Sequence, residues 1–308
     1  MCVKQLRVFL LCLFLIACTN QATTSGDKIF LGAVRGDIFW PVTYAVNVEG
    51  KGEVAETLPG RLDGRPEWSP DGQWILFSTQ YDVGKPEDSE IYLLRSDDSQ
   101  LTLLPHNSGG SFDPSWSPDG KQIVYYARDA LTGIYILNVE CFVNNEEACN
   151  PVPMFLVAGD AAPDWSPNGR EIVYEQAGQI LKVNADGTTT QPVSLTQQGT
   201  HCVDPQWSPD GKRIAFSCDG IIYLADPDGS NLVSLSQTGA YPSWSHDGSK
   251  IAFISAREGQ EIGLGEPNIS NAVYLMDIDG SNVIRLSLRD DEIVNWLAWI
   301  PSEIKEGP

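Results

Sequence analysis

The sequence predicts an all-β fold: a six-bladed β-propeller of four-stranded blades, closed by exchange of its N- and C-terminal strands. Three observations carry this. A seven-residue motif occurs in five near-identical copies and a worn sixth. The tryptophans of successive copies lie 37 to 55 residues apart. Each intact copy is followed by a short apolar run. A period of about 40 to 50 residues with this punctuation marks small antiparallel sheets repeated around an axis.

The motif reads Pro66-Glu-Trp-Ser-Pro-Asp-Gly72 and recurs as Pro114-Ser-Trp-Ser-Pro-Asp-Gly120 and Pro163-Asp-Trp-Ser-Pro-Asn-Gly169. It returns as Pro205-Gln-Trp-Ser-Pro-Asp-Gly211 and Pro242-Ser-Trp-Ser-His-Asp-Gly248, and in degenerate form as Trp296-Leu-Ala-Trp-Ile-Pro-Ser302. Ser-Pro-Asp-Gly is hairpin chemistry. Proline presets the first central position of a type I turn, aspartate accepts the second, and glycine takes the left-handed bulge position. The tryptophan therefore ends a first strand. The second strand is the apolar run that follows, such as Ile123-Val-Tyr-Tyr126 or Ile214-Ala-Phe216. Its apolar residues fall on both faces, as expected between two neighbouring sheets.

A third strand carries Tyr92, Tyr135, Leu181, Tyr223 or Tyr274, each five residues before an acid: Asp97, Glu140, Asp186, Asp228 or Asp279. That acid opens a second turn into an edge strand such as Leu232–Leu235 or Val283–Leu286. The landmark also precedes the first tryptophan motif, as Tyr44 before Glu49-Gly50. The N-terminus thus supplies strands two to four of a blade whose first strand is missing, and Trp296–Ile300 supplies a first strand with nothing after it. Together they make one blade, and the open sheet edges that invite aggregation disappear.

Pro-x-Trp-Ser-Pro-Asp-Gly, followed by Ile-x-Phe and a later Tyr…Asp-Gly, resembles the WD40-like repeat of the TolB propeller family. The resemblance covers residues 28–301 and implies a propeller that binds protein or ligand at one face. Two features differ from TolB itself, which carries an α/β domain before its propeller and is soluble in the periplasm. Here the repeats start about ten residues after Cys18, and that cysteine looks lipidated.

Lys4 and Arg7 precede an unbroken apolar run, Val8–Ala17. The run is too short to span a bilayer and has the length of a signal-peptide core. It ends in Leu15-Ile16-Ala17-Cys18, which resembles the bacterial lipobox, cleaved before a cysteine that then takes lipid. The expected organisation is a lipoprotein signal peptide at 1–17, a small polar tether at 18–27, the propeller at 28–301 and a tail at 302–308. The expected location is the exported bacterial cell envelope, on its periplasmic or extracellular face, held to the membrane through lipid on Cys18.

The formal net charge is −21. Such a chain repels phosphates, so nucleic acid is excluded as a partner, and so is electrostatic docking on anionic lipid. With Cys2 and Cys12 in the leader and Cys18 lipidated, Cys141, Cys149, Cys202 and Cys218 remain in an oxidising location. Two local disulfides are expected. Cys141–Cys149 brackets an acidic insertion, and Cys202–Cys218 flanks the Ser208–Gly211 hairpin turn.

Catalytic signals are sparse. Of the three histidines, His246 stands in a turn where other copies have proline, and His106 and His201 sit in inter-blade loops without ligand-spaced partners. No Gly-x-Ser-x-Gly elbow occurs. Asp226-Pro-Asp-Gly-Ser230 and Asp277-Ile-Asp-Gly-Ser281 fit turns better than calcium loops, because the bidentate glutamate is missing. No metal, cofactor or catalytic residue is expected. Strand direction puts the Tyr81–Ser89 and Ala256–Asn271 loops on one face, beside the residues that enter each first strand. The candidate binding face is therefore Arg65, Asp113, His201, Asp204 and Tyr241. The reading is a lipid-anchored, non-catalytic module that binds an envelope protein or small ligand, or acts as a scaffold. The alternative is a propeller enzyme, a lyase or hydrolase of envelope or extracellular polysaccharide, if His106, His201, Asp113 and Asp204 converge.

Overall fold

A computed structural model describes residues 28–35, 42–48, 53–55, 61–62, 65–80, 89–97, 99–105, 109–128, 130–146, 149–188, 192–196, 199–256, 271–286 and 292–300. The leader, the tether with Cys18, His106, the tail and most of the two long loops lie outside these residues.

Six antiparallel sheets form a six-bladed propeller. Blade 1 contains β1 (Lys28–Arg35), β2 (Val42–Asn47) and β3 (Glu53–Ala55). Blade 2 has β4 (Arg61–Leu62), β5 (Glu67–Trp68), β6 (Trp74–Gln80), β7 (Ser89–Arg95) and β8 (Leu101–Leu103). Both β4 and β5 pair with β6, so they are two pieces of one first strand. Blade 3 has β9 (Ser111–Trp116), β10 (Gln122–Ala127), β11 (Gly133–Asn138) and β12 (Met154–Val157). A one-turn helix, α1 (Glu140–Val143), lies in the insertion between β11 and β12. Blade 4 has β13 (Ala161–Trp165), β14 (Glu171–Gln176), β15 (Gln179–Asn184) and β16 (Val193–Ser194). Blade 5 has β17 (Cys202–Trp207), β18 (Ile214–Cys218), β19 (Ile221–Ala225) and β20 (Val233–Thr238). Blade 6 has β21 (Ala240–Trp244), β22 (Lys250–Ala256), β23 (Asn271–Asp277) and β24 (Ile284–Arg285). The last strand, β25 (Glu292–Ile300), pairs antiparallel with β1 and is the first strand of blade 1. It begins at Glu292, four residues before Trp296, so it is longer than the Trp296–Ile300 segment that the repeat pattern predicts.

The turn between first and second strands is the same small machine five times. Gly72 N–H donates to Ser69 O at 2.8 Å, closing the turn. Ser69 Oγ donates to Asp71 Oδ1 at 2.6 Å, and the same oxygen accepts from Gln73 N–H at 3.0 Å. Trp74 N–H then donates to Ser69 Oγ at 3.0 Å, coupling the turn to the second strand. The pattern repeats at Ser117/Asp119, Ser166/Asn168, Ser208/Asp210 and Ser245/Asp247. His246 replaces proline without breaking it. The turn glycines have φ between +69° and +72°, a region a side chain resists. The aspartate thus does more than accept a conformation. Its carboxylate satisfies backbone and serine donors that would otherwise turn to water.

The aromatic landmark of the third strand faces the aromatic of the second. Phe77 opposes Tyr92, Tyr125 opposes Tyr135, Phe216 opposes Tyr223 and Phe253 opposes Tyr274. Their rings stack with centroids 5.7 to 6.2 Å apart, a favourable cross-strand pairing. Blade 4 departs with Tyr174 opposite Leu181.

Six apolar clusters fill the spaces between neighbouring blades. Blades 2 and 3 meet around Trp74, Trp116 and Tyr125, blades 3 and 4 around Trp165 and Tyr174, blades 4 and 5 around Trp207 and Phe216, and blades 5 and 6 around Trp244 and Phe253. Trp299 and Leu297 of β25 pack on Ile254 and Val273 of blade 6. Trp296 and Ala298 of the same strand pack on Phe77 and Trp68 of blade 2. Apolar residues of both parities along each second strand are explained by this, since each blade has a neighbour on either side.

Cys202 and Cys218 face each other directly across β17 and β18 and are disulfide-bonded, with Cα atoms 4.0 Å apart. Cys141 is bonded to Cys149 across the insertion, with Cα atoms 5.5 Å apart. No helix among the described residues is long and apolar enough to cross a membrane.

Candidate binding site at the channel mouth

The first strands pack around the axis, β5 against β9, β9 against β13, β13 against β17, β17 against β21 and β21 against β25. Four of them carry the same irregularity three residues before the tryptophan. In β9, β13, β17 and β21 two residues oppose one on the second strand, a β-bulge. The first bulged residue is left-handed: Asp113 at φ +48°, Ala162 at +47°, Asp204 at +55° and Tyr241 at +55°. Each stands before a proline, which itself disfavours helical conformations. Asparagine and aspartate tolerate the left-handed region; alanine and tyrosine do so only when the surroundings impose it. The bulge turns these residues out of the ladder.

They line a cavity of about 530 Å³ together with Arg65, Glu175 and Trp296. Four of the five expected face residues, Arg65, Asp113, Asp204 and Tyr241, therefore share one site. His201 does not line it. It is exposed, its N–H bonded to Asp219 Oδ1 at 3.2 Å, although its charge still reaches Glu175.

Below the mouth, two residues deeper along the first strands, acids tie the blades together. Glu67 Oε2 accepts from Trp116 N–H at 3.0 Å, and Asp164 Oδ2 accepts from Trp207 N–H at 2.7 Å, each from the following blade. Asp164 Oδ1 also accepts from Ser115 Oγ at 3.3 Å, so it touches three blades. Indole N–H groups reach back the other way: Trp116 to Glu67 O, Trp244 to Gln206 O and Trp299 to Ser243 O, at 3.1 to 3.3 Å.

The carboxylates keep some contact with channel solvent but have protein on every side. Burial, reinforced by Asp164, pushes Glu67 up to about 7, against the pull of Arg65. Burial pushes Asp164 up to about 6, again opposed by Arg65. Asp204 rises to about 7 through burial and the charges of Asp113 and Glu175. Glu175 rises to about 7 through burial, with His201 lowering it and Asp160 and Asp113 raising it. Asp204 holds the Tyr241 phenol up at about 12, with burial adding to the effect. Among the described residues only Arg65 and His201 bring positive charge to these acids, too little for all of them to ionise easily. Among the described residues no group of three or more His, Cys, Asp or Glu could hold a metal ion.

Sequence reasoning passed over Glu67, Asp164 and Glu175. The signal was present in the alignment of the repeats. Glu67 and Asp164 replace the Ser or Gln that other intact copies carry before tryptophan, and Glu175 stands where blades 2, 3, 5 and 6 have Ser78, Tyr126, Ser217 and Ile254.

Residues 161–301 match the TolB beta propeller domain. The solved TolB of Acinetobacter baumannii superposes with a TM-score of 0.66 at 19% identity, over 89% of this chain and 66% of that one. A chain designated TolB from Agrobacterium tumefaciens gives 0.64 at 20% identity, over 90% of this chain and 99% of its own. At these identities the likeness is one of fold. The Tol-Pal system protein TolB of Francisella tularensis is 34% identical over 77 residues, 24% of this chain and 17% of that protein. The chain spans about a third or less of the length of the curated relatives it matches, 34% of one and 17% of another.

Proposed function

We propose that this chain is a TolB-like binding module of the bacterial cell envelope that receives a protein segment or small ligand at the channel mouth. The observation that carries the reading is the repeated bulge. Four first strands depart from regular pairing at one level, and the side chains so released line one cavity. Left-handed residues before proline are strained, and strain repeated at one level marks a functional surface. The mouth offers what a partner's side chains recognise: an aromatic ring at Tyr241, a guanidinium at Arg65 and carboxylates at Asp113, Glu175 and Asp204. Export and anchoring through lipid on Cys18 are part of the proposal, supported by the Leu15–Cys18 box and, for export, by the periplasmic setting of the TolB proteins it resembles. No observation favours the polysaccharide-cleaving alternative.

A photo-crosslinking residue at Tyr241, activated in intact cells and read by mass spectrometry, tests this. A discrete partner captured at Tyr241 and not at Val233, on the outer rim of blade 5, is expected. No capture at Tyr241, or the same products at both positions, would overturn the reading.

A further inference from the structure

We propose that the channel acids make the propeller pH-sensitive in one direction: acidification below neutrality tightens the ring, and ionisation of the channel wall loosens it. The effect does not depend on what the mouth binds. Glu67 stands on β5, Asp113 on β9, Asp164 on β13, Glu175 on β14 and Asp204 on β17, so four consecutive blades each bring at least one carboxylate to the same channel. Among the described residues, these charged and titratable groups act on them. Arg65 acts on Glu67, Asp164 and Asp204. His201 and Asp160 act on Glu175, with opposite signs. Tyr241 faces Asp204 from β21, and from β25 the uncharged Asn295, Trp296 and Leu297 line the cavity.

Protonation keeps what these groups do for the fold and removes what they cost. A neutral carboxylic acid still has a carbonyl oxygen to accept from Trp116 N–H or Trp207 N–H. It no longer repels its neighbours across a channel of low dielectric. The folded state therefore binds more protons than the unfolded chain between the unfolded carboxylate range near 4 and the folded values of about 6 to 7. Stability falls as pH rises through that window and is fully present below it. The surface turns pull the other way at lower pH. Asp210, held down to about 2 by Lys212 N–H and Ser208, loses its contribution only below about 4. The two sets place the stability maximum between them, on the acid side of neutrality.

The test is the melting temperature of the full-length protein from pH 5 to 8.5 at constant ionic strength. The wild type should melt lower at pH 8 than at pH 5.5, by on the order of 5 °C. Asp204→Asn and Glu175→Gln keep shape and acceptor while deleting one charge each. Both should flatten the slope and raise the melting temperature at pH 8. Asp228→Asn and Asp279→Asn, in exposed turns, change net charge equally and should leave the slope alone. A flat or rising wild-type profile, unchanged slopes in the channel variants, or equal flattening by the surface variants would overturn the proposal. The last outcome would assign the effect to net charge. A carboxyl NMR titration gives an independent reading: no midpoint above the ordinary carboxylate range would also refute it.

Discussion

Ending the chain at Asn295 should unfold it. The cut removes Trp296, Leu297, Ala298 and Trp299, all buried, together with the β1 partners from Trp296 to Ile300. The three large side chains bury apolar surface worth about 1.5–3 kcal/mol each, so roughly 5–9 kcal/mol is lost before any hydrogen bond is considered. A domain has about 5–15 kcal/mol in all. Two inter-blade cores lose a wall at once, since Leu297 and Trp299 face blade 6 while Trp296 and Ala298 face blade 2. The truncated chain should lose its cooperative urea transition by far-UV circular dichroism, or aggregate through the bared edge of β1. Point variants grade the effect. Trp299→Ala should cost about 3–5 kcal/mol. Trp299→Phe keeps most of the bulk but leaves Ser243 O without its indole donor, and should cost about 1 kcal/mol. A synthetic peptide of residues 292–300 should restore the transition to the truncated chain. A truncated protein with the wild-type urea midpoint would show that β25 does not hold the ring closed.

The remaining predictions concern single links. Replacing Cys202 and Cys218 by serine should cost about 3 kcal/mol through the unfolded state, for a loop of roughly 15 residues. Non-reducing peptide mapping should recover the Cys202–Cys218 and Cys141–Cys149 pairs, and crossed pairs would contradict the register of β17 and β18. Asp164→Ala at pH 5 strands Trp207 N–H and should cost about 1–3 kcal/mol in urea denaturation, whereas Asp164→Asn can still accept from it and should be close to neutral. Cys18→Ala should abolish fatty-acid labelling and release the protein from membranes on fractionation. Label retained on the variant would place the anchor elsewhere.

Blade number, turn chemistry and strand order were legible because they are written in contiguous residues. Ser-Pro-Asp-Gly closes its turn by bonds spanning five residues at most, so each copy announces itself wherever the chain later goes. The pairing of Tyr44's strand with its neighbours and of β25 with β1 was readable for a related reason. A repeat with a missing piece at one end and a surplus piece at the other has few other ways to satisfy its edges. That Arg65, Asp113, Asp204 and Tyr241 lie on one side of the ring, where they line one cavity, was readable from strand direction. His201, three residues before Asp204, does not join them: it is exposed, and its N–H bonds Asp219 Oδ1.

What the tertiary structure decided is everything that depends on how one blade is rotated against the next. Asp164 meets Trp207 and Ser115 only because three blades converge on the axis. Glu175 comes near Asp113 and Asp204 from a second strand, across blade boundaries that no local pattern encodes. The left-handed residues before Pro114, Pro163, Pro205 and Pro242 likewise sit where neighbouring first strands pack together around the axis. The repeat alone determined that a ring would form and from which pieces. The charge of its channel was settled by closure, because only a closed ring forces acids from separate blades to share one small volume with so little positive charge.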